Sequence, residues 1–333
     1  MDPIELTREF IRIPSPTGNE KEYAIYVEER LEEVGWEVTR MPVEDERWNL
    51  FATPRESHRP EVVFCTHLDT VEPFVDRRED DDYLYGRGAC DAKGVMAAMI
   101  AAAAGLADEG IRNIGLLFTV GEEVDSAGAK QANLNPAKGV QYTIVGEPTE
   151  NRLAVGQKGI YVVDVETKGR SAHSAYPDQG DSAVAKLLDI LSHLRGTEFP
   201  VHEKLGRTTL NISRLKGGER HNVIPDSAGA GLMFRVSTSL GEIKTILEQA
   251  VDGQGEIHEI NQCEPQEMVS VPGFEQDIVS FSTDIPFLSN WGRKLLMGPG
   301  SILDAHTLEE KVARSELQEA VRKYHDLARH LLS

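Results

Sequence analysis

The sequence predicts an α/β protein in which a doubly wound, largely parallel sheet is interrupted by an α+β insert. Three observations predict it. Buried-type strand runs alternate with helical periodicity through the first half, the order changes to β-α-β-β-α-β near residue 158, and one amphipathic helix closes the chain. With 333 residues the chain exceeds the usual size of one domain, so two cores are expected: residues 1–157 with 265–333, and residues 158–264.

The first element is a helix over residues 19–35, where Ala24, Val27, Leu31 and Val34 recur at helical spacing and Thr17 with Glu20 forms a capping-box pattern. Strands follow over 36–41, 48–52 and 61–66. The bend Gly86-Arg87-Gly88-Ala89-Cys90-Asp91 opens a helix over 91–107 that is rich in Ala and Met and apolar nearly all round, which predicts a helix buried against the sheet. Strands over 114–120 and 142–145, with a short helical segment between them, continue a parallel, helix-covered sheet.

In the insert, strands are predicted over 160–167, 208–215, 228–236 and 256–262, with helices over 181–194 and 240–251. That order is the ferredoxin-like split unit, able to fold on its own. The chain returns through Gly300 to a helix over 314–332, whose Leu317, Ala320, Val321, Tyr324, Leu327 and Leu331 form one apolar stripe over the first core.

Composition narrows the class of function. A formal charge of −20 disfavours nucleic acid and anionic membrane as partners, since both demand clustered Lys and Arg. Cys65, Cys90 and Cys263 are odd in number and widely spaced, so no disulfide framework is expected and a reducing cytoplasm fits. The start Met1-Asp2-Pro3-Ile4-Glu5 lacks a basic segment leading into an apolar stretch. No span reaches the roughly 18 apolar residues of a membrane helix, so an unexported, cytoplasmic protein is expected.

The chemistry lies at strand ends. Val62-Val63-Phe64-Cys65-Thr66 runs into His67-Leu68-Asp69, Leu116-Leu117-Phe118-Thr119-Val120 into Glu122-Glu123, and Ile144-Val145 into Glu147-Pro148. Ligands of open α/β sheets bind beyond the carboxyl ends of strands, so one His and several carboxylates should converge there on a divalent-metal site. His67 and Asp69 are two apart on a chain leaving a strand, which predicts that one binds and the other orients it. Glu122 and Glu123 are adjacent, so one carboxylate can serve the metal while the other moves a proton. Asp91, at a glycine-rich bend before a helix, is placed to approach two ions.

Together His67-Leu68-Asp69-Thr70-Val71, Gly86 to Gly94, Gly121-Glu122-Glu123 and Gly146-Glu147-Pro148-Thr149 resemble the M20 metallopeptidases, the group containing acetylornithine deacetylase and succinyl-diaminopimelate desuccinylase. Ser171-Ala172-His173, Asn222-Val223-Ile224-Pro225, Phe234-Arg235, Gly298-Pro299-Gly300 and Ala305-His306-Thr307 extend the resemblance over nearly the whole chain.

The resemblance implies a doubly wound zinc-hydrolase catalytic domain with an inserted lid and dimerisation domain. It implies two zinc ions per subunit, with cobalt or manganese also suited, bridged by Asp91. His67 and Glu147 complete one ion, and Glu123 and His306 the other. It makes Glu122 the general base, Asp69 the partner of His67, and His173 an oxyanion donor that in dimeric relatives reaches in from the partner subunit. Arg235 would clamp a substrate carboxylate, with Asn222 assisting it or the oxyanion and Gly300 lining the substrate site.

The implied reaction is removal of an acyl group from a small N-acyl amino acid, most like acetylornithine deacetylase of arginine biosynthesis. Succinyl-diaminopimelate, acetylcitrulline, acyl-lysine and dipeptides are alternatives, and a metal-containing ligand-binding protein of the same fold is the non-enzyme alternative. A homodimer through the insert is expected. Two departures stand out. The chain is short between the insert and Gly298, and Ala92 stands where the family more usually has methionine. His58, His193, His202 and His221 show no convergent partners and are read as surface or loop residues.

Overall fold

The computed structural model describes every residue except Glu56 and His58, so the reading of His58 lies outside the described residues. The chain forms two compact units: Met1–Val155 with Met268–Asp277 and Thr283–Ser333, and Gly156–Glu267 with Ile278–Ser282.

The first unit is built on a mixed sheet. Its centre is four neighbouring parallel strands, Ile114–Thr119, Val62–His67, Tyr142–Val145 and Arg293–Leu296. The antiparallel pair Trp36–Glu44 and Arg47–Pro54 extends one side. Every residue of Val62–His67 and Ile114–Thr119 is buried, as expected for parallel strands covered on both faces. The Lys93–Asp108 helix is nearly all core, with Val95, Met96, Met99 and Ile100 against the sheet. The Arg314–Leu331 helix adds Leu327, Ala328 and Tyr324, whose Oη donates to the Met297 carbonyl at 2.6 Å. Each large apolar side chain buried this way contributes roughly 1.5–3 kcal/mol.

Two local expectations need correction. The Lys21–Glu33 helix has no side-chain cap, because Thr17 and Glu20 are used elsewhere: Thr17 Oγ1 donates to Asp69 Oδ2 at 2.8 Å, and Glu20 pairs with Arg47 at 2.8 Å. A further helix, Pro3–Ile11, precedes it. Asp2 caps it by accepting the Ile4 N–H at 2.9 Å, and Pro3 occupies its first turn.

The second unit has a four-stranded antiparallel sheet in the order Thr209–Gly217, Ser227–Val236, Gly159–Lys168 and Gly255–Cys263. The Ala183–Gly196 and Leu240–Val251 helices pack on one face through Leu187, Leu194, Ile243 and Leu247 against Val163, Leu232 and Phe234. That is the ferredoxin-like arrangement. Among the described residues, no helix is long and apolar enough to cross a membrane.

Candidate metal centre and active site

Each of the four central parallel strands ends in a segment carrying candidate ligands. His67 closes the first, and Gly121-Glu122-Glu123 follows Thr119 closely. Gly146-Glu147 follows Val145, and the chain after Leu296 runs through Gly298-Pro299-Gly300 to His306. The strands share one direction, so all four segments emerge at the same sheet edge. Close packing sets one exit: a Cβ on Gly146 would lie 2.4 Å from Val95 Cγ1, so the strand carrying Glu147 meets the buried helix where only glycine fits. Gly300, at φ +87°, packs against Cys90 in the same way, and its carbonyl accepts from the Glu150 N–H at 2.8 Å.

Asp91 is the hub. Its Oδ1 lies 3.0 Å from His67 Nε2 and its Oδ2 lies 3.2 Å from His306 Nε2. Each imidazole has its own glutamate: Glu147 Oε2 is 4.0 Å from His67 Nε2, and Glu123 Oε2 is 3.0 Å from His306 Nε2. One aspartate therefore addresses two half-sites, one per oxygen. Ligand atoms of His67, Asp91 and Glu123 all lie within 4.8 Å of one another. His67 is fully buried, whereas the His306 side chain is half exposed.

Asp69 acts through two different groups. Its main-chain carbonyl meets His67 Nδ1 at 2.8 Å, closer than its carboxylate at 3.6 Å. The carboxylate accepts the N–H groups of Glu122 and Glu123, both at 3.1 Å. So the residue expected to orient His67 does so chiefly by its backbone, and its side chain holds the acidic loop.

Electrostatics fit a cation. Burial raises the carboxyl pKa of Glu122, Glu123 and Glu147, and neighbouring carboxylates raise each further, against a downward pull from His67. Burial pushes the His67 imidazole down, but its bonds to Asp69 and Asp91 outweigh this and hold its pKa well above the ordinary value. His306 is raised to about 10 by Asp91 and Glu123. Asp91 is held low: burial opposes this, but the two imidazoles outweigh it. The carboxyl groups outnumber the imidazoles among them, an imbalance that divalent cations offset, and nitrogen with carboxylate oxygen is a donor set suited to zinc.

Two residues that matter here escaped the sequence reading. Asp284 is buried, accepts from Thr119 Oγ1 at 2.8 Å, and is raised to about 6 by burial. Glu310 is buried beside the Asp91 turn. Both reach the site from the C-terminal part of the chain, and neither belongs to a local spacing pattern.

His173, Asn222 and Arg235 belong to the second unit. His173 pairs in register with Val223, and the Ser174 N–H donates to the Asn222 carbonyl at 3.0 Å, so His173 and Asn222 share one corner. His173 is exposed, and its Nδ1 accepts the Ala175 N–H at 3.1 Å, which in the neutral ring leaves the proton on Nε2. Arg235 lies toward the other end of the Ser227–Val236 strand, eight residues beyond Ser227, or roughly 26 Å at about 3.3 Å per residue. Asn222 is thus a neighbour of His173 and not of Arg235. Arg235 is half-buried with no carboxylate partner among the described residues, and burial lowers its pKa. His193 and His221 are exposed, and His202 faces Glu267 at 3.8 Å.

The chain matches peptidase family M20/M25/M40 over residues 63–330. It belongs to that family. A peptidase M20 domain-containing protein of Schizosaccharomyces pombe is 36% identical over 330 residues, covering 96% of this chain and 82% of the relative. A probable carboxypeptidase of Aspergillus clavatus is 38% identical over 373 residues, covering 99% and 82%. The crystal structure of a Staphylococcus aureus tripeptidase shares the fold, with a TM-score of 0.81, 21% identity and 98% coverage of both chains. As an M20 member the chain is a hydrolase of amide bonds.

Proposed function

We propose that this M20 hydrolase cleaves the amide bond next to a free carboxylate in a small N-acyl amino acid, with acetylornithine as the first candidate substrate. The observation that carries the reading is Asp91 between His67 and His306, with Glu123 and Glu147 beside them and Glu122 next to Glu123 in the chain. Asp91 would bridge two zinc ions, one completed by His67 and Glu147 and the other by Glu123 and His306. The chemistry such ions supply is a lowered pKa for water and a polarised carbonyl. Glu122 would take a proton from the attacking water and hand it to the leaving amine, the task for which its neighbour-fixed backbone orients it.

The acceptor end of the substrate falls to the second unit. Arg235, without a carboxylate of its own, would fork onto the substrate carboxylate. His173, with Nε2–H free to donate, would stabilise the oxyanion, and Asn222 beside it would assist. What supports a homodimer is that His173, paired with Val223 before the start of the Ser227–Val236 strand, and Arg235, near the end of that strand, lie far apart in the unit, so a single copy is poorly shaped to serve one small substrate with both.

Acetylornithine leads because Gly146-Glu147-Pro148-Thr149 and Gly298-Pro299-Gly300 with Ala305-His306 are most like that enzyme. A second reading, removal of the C-terminal residue of a peptide, is favoured by the name of the Aspergillus relative and needs the same Arg235 contact. The test is a panel of N-acetylornithine, N-acetylcitrulline, N-succinyl-diaminopimelate, dipeptides and tripeptides, with zinc- or cobalt-loaded protein and a chelated control. Metal-dependent release of one acyl group supports the first reading, and turnover of peptides alone replaces it with the second. Silence across the panel at full metal occupancy would leave a ligand-binding protein of this fold.

A further inference from the structure

We infer that Glu310 is the positioning residue for Asp91, fixing the turn that presents both aspartate oxygens and tying it to the loop that carries His306. The inference rests on the reading of Asp91 and His306 as metal ligands. Glu310 Oε1 accepts three main-chain N–H groups of one turn, from Gly88 at 2.9 Å, Cys90 at 3.3 Å and Asp91 at 3.2 Å. Its Oε2 accepts from Arg87 Nη1 at 2.6 Å, and its own carbonyl accepts the Gly86 N–H at 3.0 Å. A single side chain and its backbone thus hold four of the six residues from Gly86 to Asp91 by their main chain and a fifth by its side chain.

The turn that Glu310 holds is irregular. It leads into the Lys93–Asp108 helix, but the residue before that helix makes no side-chain cap. Without an outside acceptor its N–H groups would be buried and unpaired, which folded proteins avoid. A carboxylate cradled by successive N–H groups meets that need and also sets the direction in which the Asp91 side chain leaves the backbone.

Glu310 is four residues beyond His306, so the loop that brings His306 Nε2 to 3.2 Å from Asp91 Oδ2 is anchored at its far end on the Asp91 turn itself. A shift of Glu310 moves both partners of that contact. The buried Arg87–Glu310 pair is a poor device for stability alone. Arg87 Nη2 finds no hydrogen-bond partner among the described residues, and buried ion pairs seldom outdo apolar packing. Positioning gives the pair a reason to be there.

The experiment measures zinc affinity of full-length protein by chelator competition and the absorption spectrum of the cobalt-loaded form. Two variants are used. Glu310→Gln keeps the length but loses the charge, and Glu310→Asp keeps the charge against Arg87 but is one methylene too short to reach all three N–H groups. Loss of a residue that orients a ligand typically costs 10- to 100-fold in metal affinity, and that is the fall expected for Glu310→Gln, with a changed cobalt spectrum. Glu310→Asp, expected to fold because its charge remains paired, should lose on the order of tenfold by the same reasoning. Folded variants that bind zinc within about twofold of the parent, with an unchanged cobalt spectrum, would overturn the inference. Because the readout needs no substrate, failure of the hydrolysis panel and failure of this inference are separate results.

Discussion

The carboxylate of Asp69 accepts the main-chain N–H of Glu122 at 3.1 Å, so a buried side chain on one strand exit holds the backbone of the residue proposed as the general base. Its second oxygen holds Glu123 and Thr17. Asp69→Asn leaves one acceptor oxygen for these donors and turns an amide N–H₂ toward one of them. The expected outcome is a kcat about 10- to 100-fold lower and a folded state destabilised by about 1–3 kcal/mol, checked by steady-state kinetics and urea unfolding. Parental kinetics in a folded Asp69→Asn protein would break the link between the two residues.

Glu122→Gln separates proton transfer from metal binding. The proposed ligands are untouched, so zinc content by elemental analysis should match the parent while kcat falls by about 10²- to 10⁴-fold. An active Glu122→Gln enzyme would require another base.

The half-buried guanidinium of Arg235, with no carboxylate partner among the described residues, predicts a preference for substrates with an unblocked carboxylate. A charge-assisted hydrogen-bonded contact is worth about 1.5–3 kcal/mol, so Arg235→Met should lower kcat/KM by about 10- to 150-fold on the free acid and far less on its carboxamide. The comparison of the two substrates is the check. Equal losses on both would assign Arg235 a purely structural role.

The separation of His173, on the short Ala172–His173 strand, from Arg235, near the end of Ser227–Val236, gives a complementation test. In the proposed homodimer, the His173→Ala and Arg235→Met proteins should each be crippled. If His173 serves the site of the other copy, mixed dimers contain one intact site, and a 1:1 mixture should recover about a quarter of parental activity. No recovery after verified subunit exchange would place both residues in the same site.

Asp284 carries a pH dependence whose sign follows from its burial. Its folded pKa of about 6 lies above the ordinary 3.8, so between about pH 4 and 6 the folded state keeps a proton that the unfolded chain releases. The stability this group contributes should therefore fall as pH rises through that window and level off above it. Asp284→Asn can still accept from Thr119 and removes the penalty. At pH 7 the variant should be more stable by on the order of 3 kcal/mol, with no difference near pH 3, as read by urea unfolding of chelator-treated protein. Parallel stability curves for the two proteins would contradict this assignment.

Much of this architecture was legible because burial on both faces leaves a strong mark. Val62 to Cys65 and Leu116 to Phe118 are unbroken apolar runs, and the insert's alternating strands and two helices were recognisable within a few residues. Four-residue Arg293–Leu296 carries neither mark, since Arg293 and Lys294 open it, and so the fourth parallel strand was missed. Pro3–Ile11 was also missed, although Asp2-Pro3 is a helix-start signal. The capping box failed for the opposite reason: a correct local pattern lost its side chains to Asp69 and Arg47, distant partners that no window of sequence reveals. Glu310 and Asp284 were invisible on the same ground. Their partners, the Asp91 turn and Thr119, are more than 150 residues away in the chain.

That fourth parallel strand has a consequence for how the protein is made. Arg293–Leu296 lies between Tyr142–Val145 and Leu153–Gln157, strands synthesised long before it. At about 5–20 residues per second a ribosome needs roughly 7–30 s to go from Val145 to Arg293. Throughout that interval the nascent sheet carries an unfilled slot with unpaired backbone on both sides, a template for wrong pairing. The intervening insert, with its own core, can fold while the slot waits. Newly made chains are therefore expected to be most vulnerable to aggregation in the stage just before Arg293–Leu296 emerges.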